Sequence, residues 1–180
     1  MDNEYLKIAV CPKCGHDVVK TCKGYSCLGN TGAVPSCDFH LPAVVCNRRL
    51  SDCEAMELIG GSTMLMDGFS TNEGKVFSST LHLDMDGKTV VESRVSTCPL
   101  CGGAIHVGTR AFNCANHSAD PKCPFVVWRS YGGYSLDIAD VVAICEHGVT
   151  DCEVDMFRTD GGRYSKRLAL TPEKDKVIAI

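Results

Sequence analysis

The segment Cys11-Pro12-Lys13-Cys14-Gly15 recurs as Cys98-Pro99-Leu100-Cys101-Gly102, a displacement of 98 − 11 = 87 residues. At the same displacement Cys27 meets Cys114 and Tyr25 meets Phe112; with one residue deleted, Cys37-Asp38-Phe39 meets Cys123-Pro124-Phe125. Each half therefore reads C-x2-C-x12-C-x8/9-C, and the repeat lets one half test the other. Two thiol pairs at this spacing suit a tetrahedral ion such as zinc. The short x2 spacing lets one tight turn present two sulfurs, and Gly15 or Gly102 can take the positive φ that aims backbone N–H groups at them. The predicted ligands are Cys11, Cys14, Cys27 and Cys37 in the first half and Cys98, Cys101, Cys114 and Cys123 in the second, giving two Zn2+ per chain. Tetrathiolate sites are closed, hence structural.

A second arrangement stays open, in which the two knuckles share a single rubredoxin-like site and iron becomes the expected metal. It would leave Cys27, Cys37, Cys114 and Cys123 needing another explanation. The other five of the thirteen cysteines, Cys22, Cys46, Cys53, Cys145 and Cys152, have no cysteine at the equivalent place in the other half; Cys22 faces Thr109. They are expected to be small packing hydrophobes, and redox or metal sensing through them is the weakest functional reading. The N-terminus Met1-Asp2-Asn3-Glu4-Tyr5 carries acid where a secretory signal carries base, and no apolar run approaches the ~20 residues of a membrane span. The thiols are thus expected in the cytoplasm, which favours metal over disulfide.

Between the cysteine ribbons lie pieces with their own punctuation. Ser51-Asp52-Cys53-Glu54 is a capping box ahead of Ala55, Leu58 and Ile59, with Gly60-Gly61 as a stop. Asp137 caps a predicted helix over Ile138 to Glu146, with Gly148 as its stop. In the first half a strand over Thr63 to Met66, a turn over Gly68 to Lys75 and a half-buried strand over Val76 to Leu83 follow, then the hairpin signal Asp86-Gly87 and Thr89-Val90-Val91. The second half matches with a turn over Phe157 to Arg163, a strand over Tyr164 to Leu170 and Lys176-Val177-Ile178. The predicted fold class is α+β: small zinc-stabilised modules in tandem, a ribbon over residues 1–45, a helix-plus-hairpin repeat over 46–95, a second ribbon over 96–132 and a second repeat over 133–180. Modules this small need a metal to supply what burial cannot.

The order C-P-x-C-G, aromatic-x-C, C-x-F, a capped helix ending in Gly, then Gly68-Phe69-Ser70-Thr71-Asn72-Glu73-Gly74-Lys75 and an alternating strand, resembles the C-terminal region of bacterial type IA DNA topoisomerases, especially topoisomerase III-like members. Cys123-Pro124-Phe125-Val126-Val127-Trp128-Arg129 carries the same resemblance in the second half. It implies alternating zinc ribbons and topoisomerase C-terminal repeats that hold single-stranded DNA and can contact other proteins. It does not imply strand passage, because the family's catalytic core needs several hundred residues more; the chain is expected not to be an enzyme. Asp84-Met85-Asp86 has the form of that core's acidic motif but reads as a hairpin turn. An EF-hand fails too, since the twelfth position from Asp84 is Val95.

Single strands are held by exposed rings and nearby cations. The candidate nucleic-acid contacts are Tyr25, Lys75, Arg110, Phe112, Trp128, Arg129, Arg158, Arg163, Lys166 and Arg167, whereas Phe39 and Phe125 are expected beneath the metal. The formal charge is −4, and eight thiolates with two dications take it to about −8. Binding by bulk charge is therefore excluded; cations must lie on one face and Glu4, Asp52, Glu54, Glu57, Asp137 and Asp140 on another. Two functions follow: a nucleoid-associated single-stranded DNA binder beside topoisomerase, replication or DNA-transfer machinery, or a zinc-ribbon adaptor for a protein such as RNA polymerase or a helicase.

Overall fold

The displacement that orders the cysteines also orders the strands. A computed structural model describes residues 6–30 and 36–180, and the chain divides into two compact units, residues 1–91 and 92–180. In the first, Lys7–Val10, Asp17–Thr21, Gly24–Cys27 and His40–Pro42 form an antiparallel sheet in sequence order. In the second, Arg94–Thr97, Ala104–Val107, Ala111–Cys114 and Val126–Trp128 do the same. The first three strands begin 87 residues apart (94 − 7, 104 − 17, 111 − 24) and the fourth 126 − 40 = 86 apart, so the deletion falls in the loop before the last cysteine. A register shift breaks both first strands at the same place, between Lys7 and Ala9 and between Arg94 and Ser96. The fold class is the expected one: small sheets with two short helices among the described residues.

Each sheet leads through a two-residue ladder, Val44–Val45 with Arg48–Arg49 or Ser130–Tyr131 with Tyr134–Ser135, into a capped helix. Helix α1, Asp52–Ile59, starts at a reciprocal box: Glu54 N–H donates to Ser51 Oγ at 3.2 Å, and Ser51 N–H donates to Glu54 Oε2 at 2.8 Å. Such a cap stabilises the helix by about 1 kcal/mol. Ala55, Leu58 and Ile59 form its buried stripe. Helix α2, Ile138–His147, uses carboxylates for both halves of the box, Asp140 N–H to Asp137 Oδ1 at 2.8 Å and Asp137 N–H to Asp140 Oδ2 at 3.2 Å. Gly148, at φ +80°, ends it in the left-handed conformation that glycine favours.

Beyond the helices the sequence reading needs correction. The first strand after α1 runs Met64–Ser70, through Gly68, because a bulge between Met66 and Phe69 lets the chain resume pairing and bury Phe69; the turn is confined to residues 71–75. In the second unit Phe157 likewise ends a strand, Val154–Phe157, and Arg163 begins the next, Arg163–Lys166. The long strand Val76–Leu83 of the first unit, central in a three-stranded sheet, is interrupted at Arg167 in the second, leaving Arg163–Lys166 and Leu168–Leu170 to pair with separate partners. Arg167 at the interruption donates to the Asp151 carbonyl.

In the first unit one core joins ribbon to repeat: Val18, Tyr25, Cys27, Phe39 and Leu41 from the sheet meet Leu58, Met66, Phe69 and Leu81. The hairpin turn at Gly87 rests on the Phe39 ring, so closely that a Cβ there would lie 2.8 Å from it. Gly24 is tighter still. At φ +147° its Cβ would come 2.2 Å from the Leu41 carbonyl oxygen, whereas the equivalent position of the second unit is Ala111. Gly24→Ala is expected to destabilise the first unit by about 2 kcal/mol, on the order of 10 °C in its thermal midpoint, as read by calorimetry; the second unit's transition should stay in place.

Candidate metal centres

Each C-P-x-C-G knuckle closes on itself by the same two backbone bonds. In the first, Cys11 N–H donates to His16 O at 2.8 Å and Gly15 N–H to Cys11 O at 2.9 Å; in the second, Cys98 N–H donates to Gly103 O at 2.7 Å and Gly102 N–H to Cys98 O at 2.9 Å. Gly15 and Gly102 sit at φ +77° and +75°. The end of the Gly24–Cys27 or Ala111–Cys114 strand and the stretch before the fourth strand then bring the remaining two sulfurs. Cys11, Cys14, Cys27 and Cys37 converge with their sulfurs all within 4.8 Å of one another, and so do Cys98, Cys101, Cys114 and Cys123. Each knuckle is completed by cysteines of its own half, which replaces the shared-site arrangement.

The two groups are near copies. Cys11 and Cys37 sulfurs lie 3.7 Å apart and Cys14 and Cys27 sulfurs 3.4 Å; the corresponding separations in the second group are 3.7 and 3.4 Å. A tetrahedron with metal–sulfur bonds of about 2.3 Å has edges of about 3.8 Å, so the four sulfurs fit a single metal ion. Backbone N–H groups point inward: Gly29 to Cys27 Sγ at 3.3 Å, Phe39 to Cys37 Sγ at 3.5 Å and Asn116 to Cys114 Sγ at 3.4 Å. Such donors fix sulfur orientation and spread thiolate charge.

The thiols are unequal. The His16 backbone N–H lowers the exposed Cys14 to about 6, and the Gly103 backbone N–H does the same for Cys101. Burial pushes Cys27 and Cys114 up to about 12, and raises Cys37 and Cys123. A buried thiolate is costly without a cation to face, so metal entry must expel the protons that these sulfurs otherwise keep. Four sulfurs leave no coordination position for a substrate; what a bound dication supplies is a cross-link between knuckle and sheet.

The remaining predicted residues divide sharply. Tyr25 and Phe112 are core side chains, 2% and 0% exposed, so neither can stack on a base; Tyr25 donates its hydroxyl to Asp52 at 2.7 Å. Phe39 and Phe125 are buried as expected. Trp128 is 54% exposed at the end of the fourth strand, beside Arg129, whose N–H donates to Arg110 O at 3.0 Å. Lys75, Arg110, Arg158, Arg163, Lys166 and Arg167 are exposed, and Arg129 is half-buried. Of the five spare cysteines only Cys145 is buried; Cys22, Cys46, Cys53 and Cys152 are exposed, because turns and an outer helix face carry them.

The acids expected on a contact face are mostly used internally. Asp52 takes Lys20 and Tyr25, Glu54 takes Arg48 and the Ser51 cap, Asp137 caps α2, and Asp140 takes Tyr134 at 2.8 Å. Glu4 lies outside the described residues, which leaves Glu57. Sequence reading missed Phe157, 46% exposed with the Arg163 guanidinium 5.2 Å from its ring centre. The signal was the repeat itself: the first half has Ser70 opposite Val76 where the second has Phe157 opposite Arg163.

Over 155 residues, 82% of the chain, the sequence is 26% identical to DNA topoisomerase 1 of Bacillus anthracis. The chain is similar to part of a DNA topoisomerase. It spans 17% of that protein's length, and the two tetracysteine groups fit the zinc ribbons that the resemblance implies. No protein-family model matches the chain, and no solved structure does. Among the described residues no helix is long and apolar enough to cross a membrane.

Elemental analysis of the purified chain is expected to give two zinc ions per molecule. Adding zinc to metal-free protein in weak buffer should release protons, since burial keeps Cys27, Cys37, Cys114 and Cys123 protonated in the empty clusters. Cys114→Ser should halve the zinc content and unfold the second ribbon by circular dichroism and proteolysis, whereas Cys22→Ser should change neither.

Proposed function

We propose that this chain is a non-catalytic, zinc-stabilised module that holds single-stranded DNA as an accessory to topoisomerase or related DNA-processing machinery in the cytoplasm. The observation that carries the reading is the exposed Trp128, at the rim of a metal ribbon and beside Arg110 and Arg129, on a chain related to part of a DNA topoisomerase. An indole offers a π-face to any base, and adjacent guanidinium groups meet the phosphates, which suits binding without sequence preference. Closed tetrathiolate sites suit a structural role for the metal. Lys20 and Arg48 neutralise Asp52 and Glu54, and the α2 cap engages Asp137 and Asp140, which weakens the acidic face that a protein adaptor would present.

With a net charge near −8 when two dications are bound, the affinity must come from local contacts, and each phosphate contact adds about 0.7 to the logarithmic salt slope for a single strand. Fluorescence anisotropy of a labelled oligo-dT with zinc-loaded protein should give saturable binding at low salt that falls steeply as salt rises. Trp128→Ala should weaken it roughly tenfold, the scale of one base–aromatic stack. No saturable binding at low salt would overturn the reading.

A further inference from the structure

We infer that the strand lies across the second repeat as well as the second ribbon, on a stacking platform made of Phe157 and Arg163 that the first half lacks. The inference rests on the single-stranded DNA reading above and specifies which surface does the holding. Phe157 ends the Val154–Phe157 strand directly opposite Arg163. The residue is 46% exposed and the Arg163 guanidinium stands 5.2 Å from the centre of its ring. Beneath the ring lies Gly133, at φ +80°, where a Cβ would come 3.2 Å from Phe157 Cδ2. The Phe157 N–H donates to Gly132 O at 2.7 Å, which fixes the strand end to the Gly132-Gly133 turn. A second cation–ring pair stands at the same hairpin, with Arg158 5.5 Å from the Tyr164 ring. Such pairs hold guanidinium planes where they can continue a stack of bases while still meeting phosphate.

The turn that supports Phe157 also touches Trp128. Tyr131, the residue before Gly132, accepts the Trp128 N–H on its hydroxyl at 3.1 Å. The backbone at Trp128 and the end of the Phe157 strand are therefore both tied to the turn over residues 131–133.

The first half offers a control built into the chain. Its backbone makes the same bonds: Ser70 N–H donates to Cys46 O at 2.9 Å as Phe157 N–H does to Gly132 O, and Ser70 pairs with Val76 as Phe157 pairs with Arg163. The side chains differ at every position that matters. Ser70 stands for Phe157, Val76 for Arg163, Thr71 for Arg158 and Pro42 for Trp128. Asn47, at the place of Gly133, spends its amide on Ser70 O and Thr71 O at 3.1 and 3.4 Å. Several cations of that half are also taken up, Lys7 by Asp17, Lys13 by Asp38, Lys20 by Asp52 and Arg48 by Glu54. The first half keeps the scaffold without the platform.

The test uses the full zinc-loaded chain and labelled oligo-dT, with the fluorescence of the single tryptophan as a second readout. Phe157→Ala and Arg163→Gln should each weaken binding about tenfold, and Arg163→Gln should also lower the salt slope by about one phosphate contact. Phe157→Tyr, which keeps an aromatic face, should bind as the wild type does, and the circular dichroism of Arg163→Gln should match that of the wild type because Arg163 is exposed. Val76→Ala, at the matching place in the first half, should leave affinity unchanged. If the wild-type chain binds and quenches Trp128 fluorescence while Phe157→Ala and Arg163→Gln bind equally well, the platform is wrong though the DNA reading stands. If Val76→Ala weakens binding as much as Arg163→Gln, the assignment to one half is wrong. A wild-type chain that does not bind at all overturns the DNA reading itself.

Discussion

Four sulfurs gathered within 4.8 Å, twice over, are the constraint on which the rest of this molecule depends. Two come from a tight knuckle, where neighbours in sequence are neighbours in space at little entropic cost. The others arrive from a strand end and a loop, and joining them closes most of a ribbon into a ring. Without a cation, burial holds Cys27, Cys37, Cys114 and Cys123 in their protonated form, and no coordination ties the knuckle to the sheet. With one, the thiolate charge has a partner and the loop is closed by coordination. The same logic explains why the sites are suited to structure: four sulfurs saturate a tetrahedral ion.

From that anchor the first unit grows as a continuous chain of contacts. Cys37 accepts the Phe39 N–H, the Phe39 ring carries the Gly87 turn, and the sheet leading to that turn buries Leu81 against α1 and Phe69. Ribbon and repeat therefore share a core, as a sequence of this brevity requires. The second unit repeats the plan with altered details: a carboxylate capping box in place of Ser51 and Glu54, and a strand broken at Arg167 where the first half runs unbroken.

Duplication followed by divergence gives the chain a division of labour. Positions that hold the fold are alike in both halves, the eight cysteines, the two knuckle glycines and the buried aromatics Phe39 and Phe125 among them. Positions at the ends of matching strands have separated, half-buried Pro42 from exposed Trp128 and half-buried Ser70 from exposed Phe157. A surface that changes while its scaffold stays constant is where binding is acquired or lost, because substitutions there leave the core intact.

The sequence alone determined what depends on spacing and local chemistry. The 87-residue repeat singled out eight of thirteen cysteines, Ser51 and Asp137 marked the helix starts, and Gly148 and Asp86-Gly87 marked an end and a turn, since each is a rule about residues a few positions apart. Tertiary structure decided what depends on distance and burial. Tyr25 and Phe112 looked like rings available for stacking but fill the core, because alternation along a strand does not say which face a second layer will cover. Four spare cysteines proved exposed because turns and the outer face of a helix carry them. Phe69 and Phe157 were read into turns because Gly68 and its neighbours look like a loop, whereas a bulge carries the ladder on to Phe69 and an unbroken register carries it to Phe157. Which thiols share an ion, and which ring meets which guanidinium, are set by chain segments tens of residues apart, where pairing across the sheet rather than order along the chain makes the neighbours.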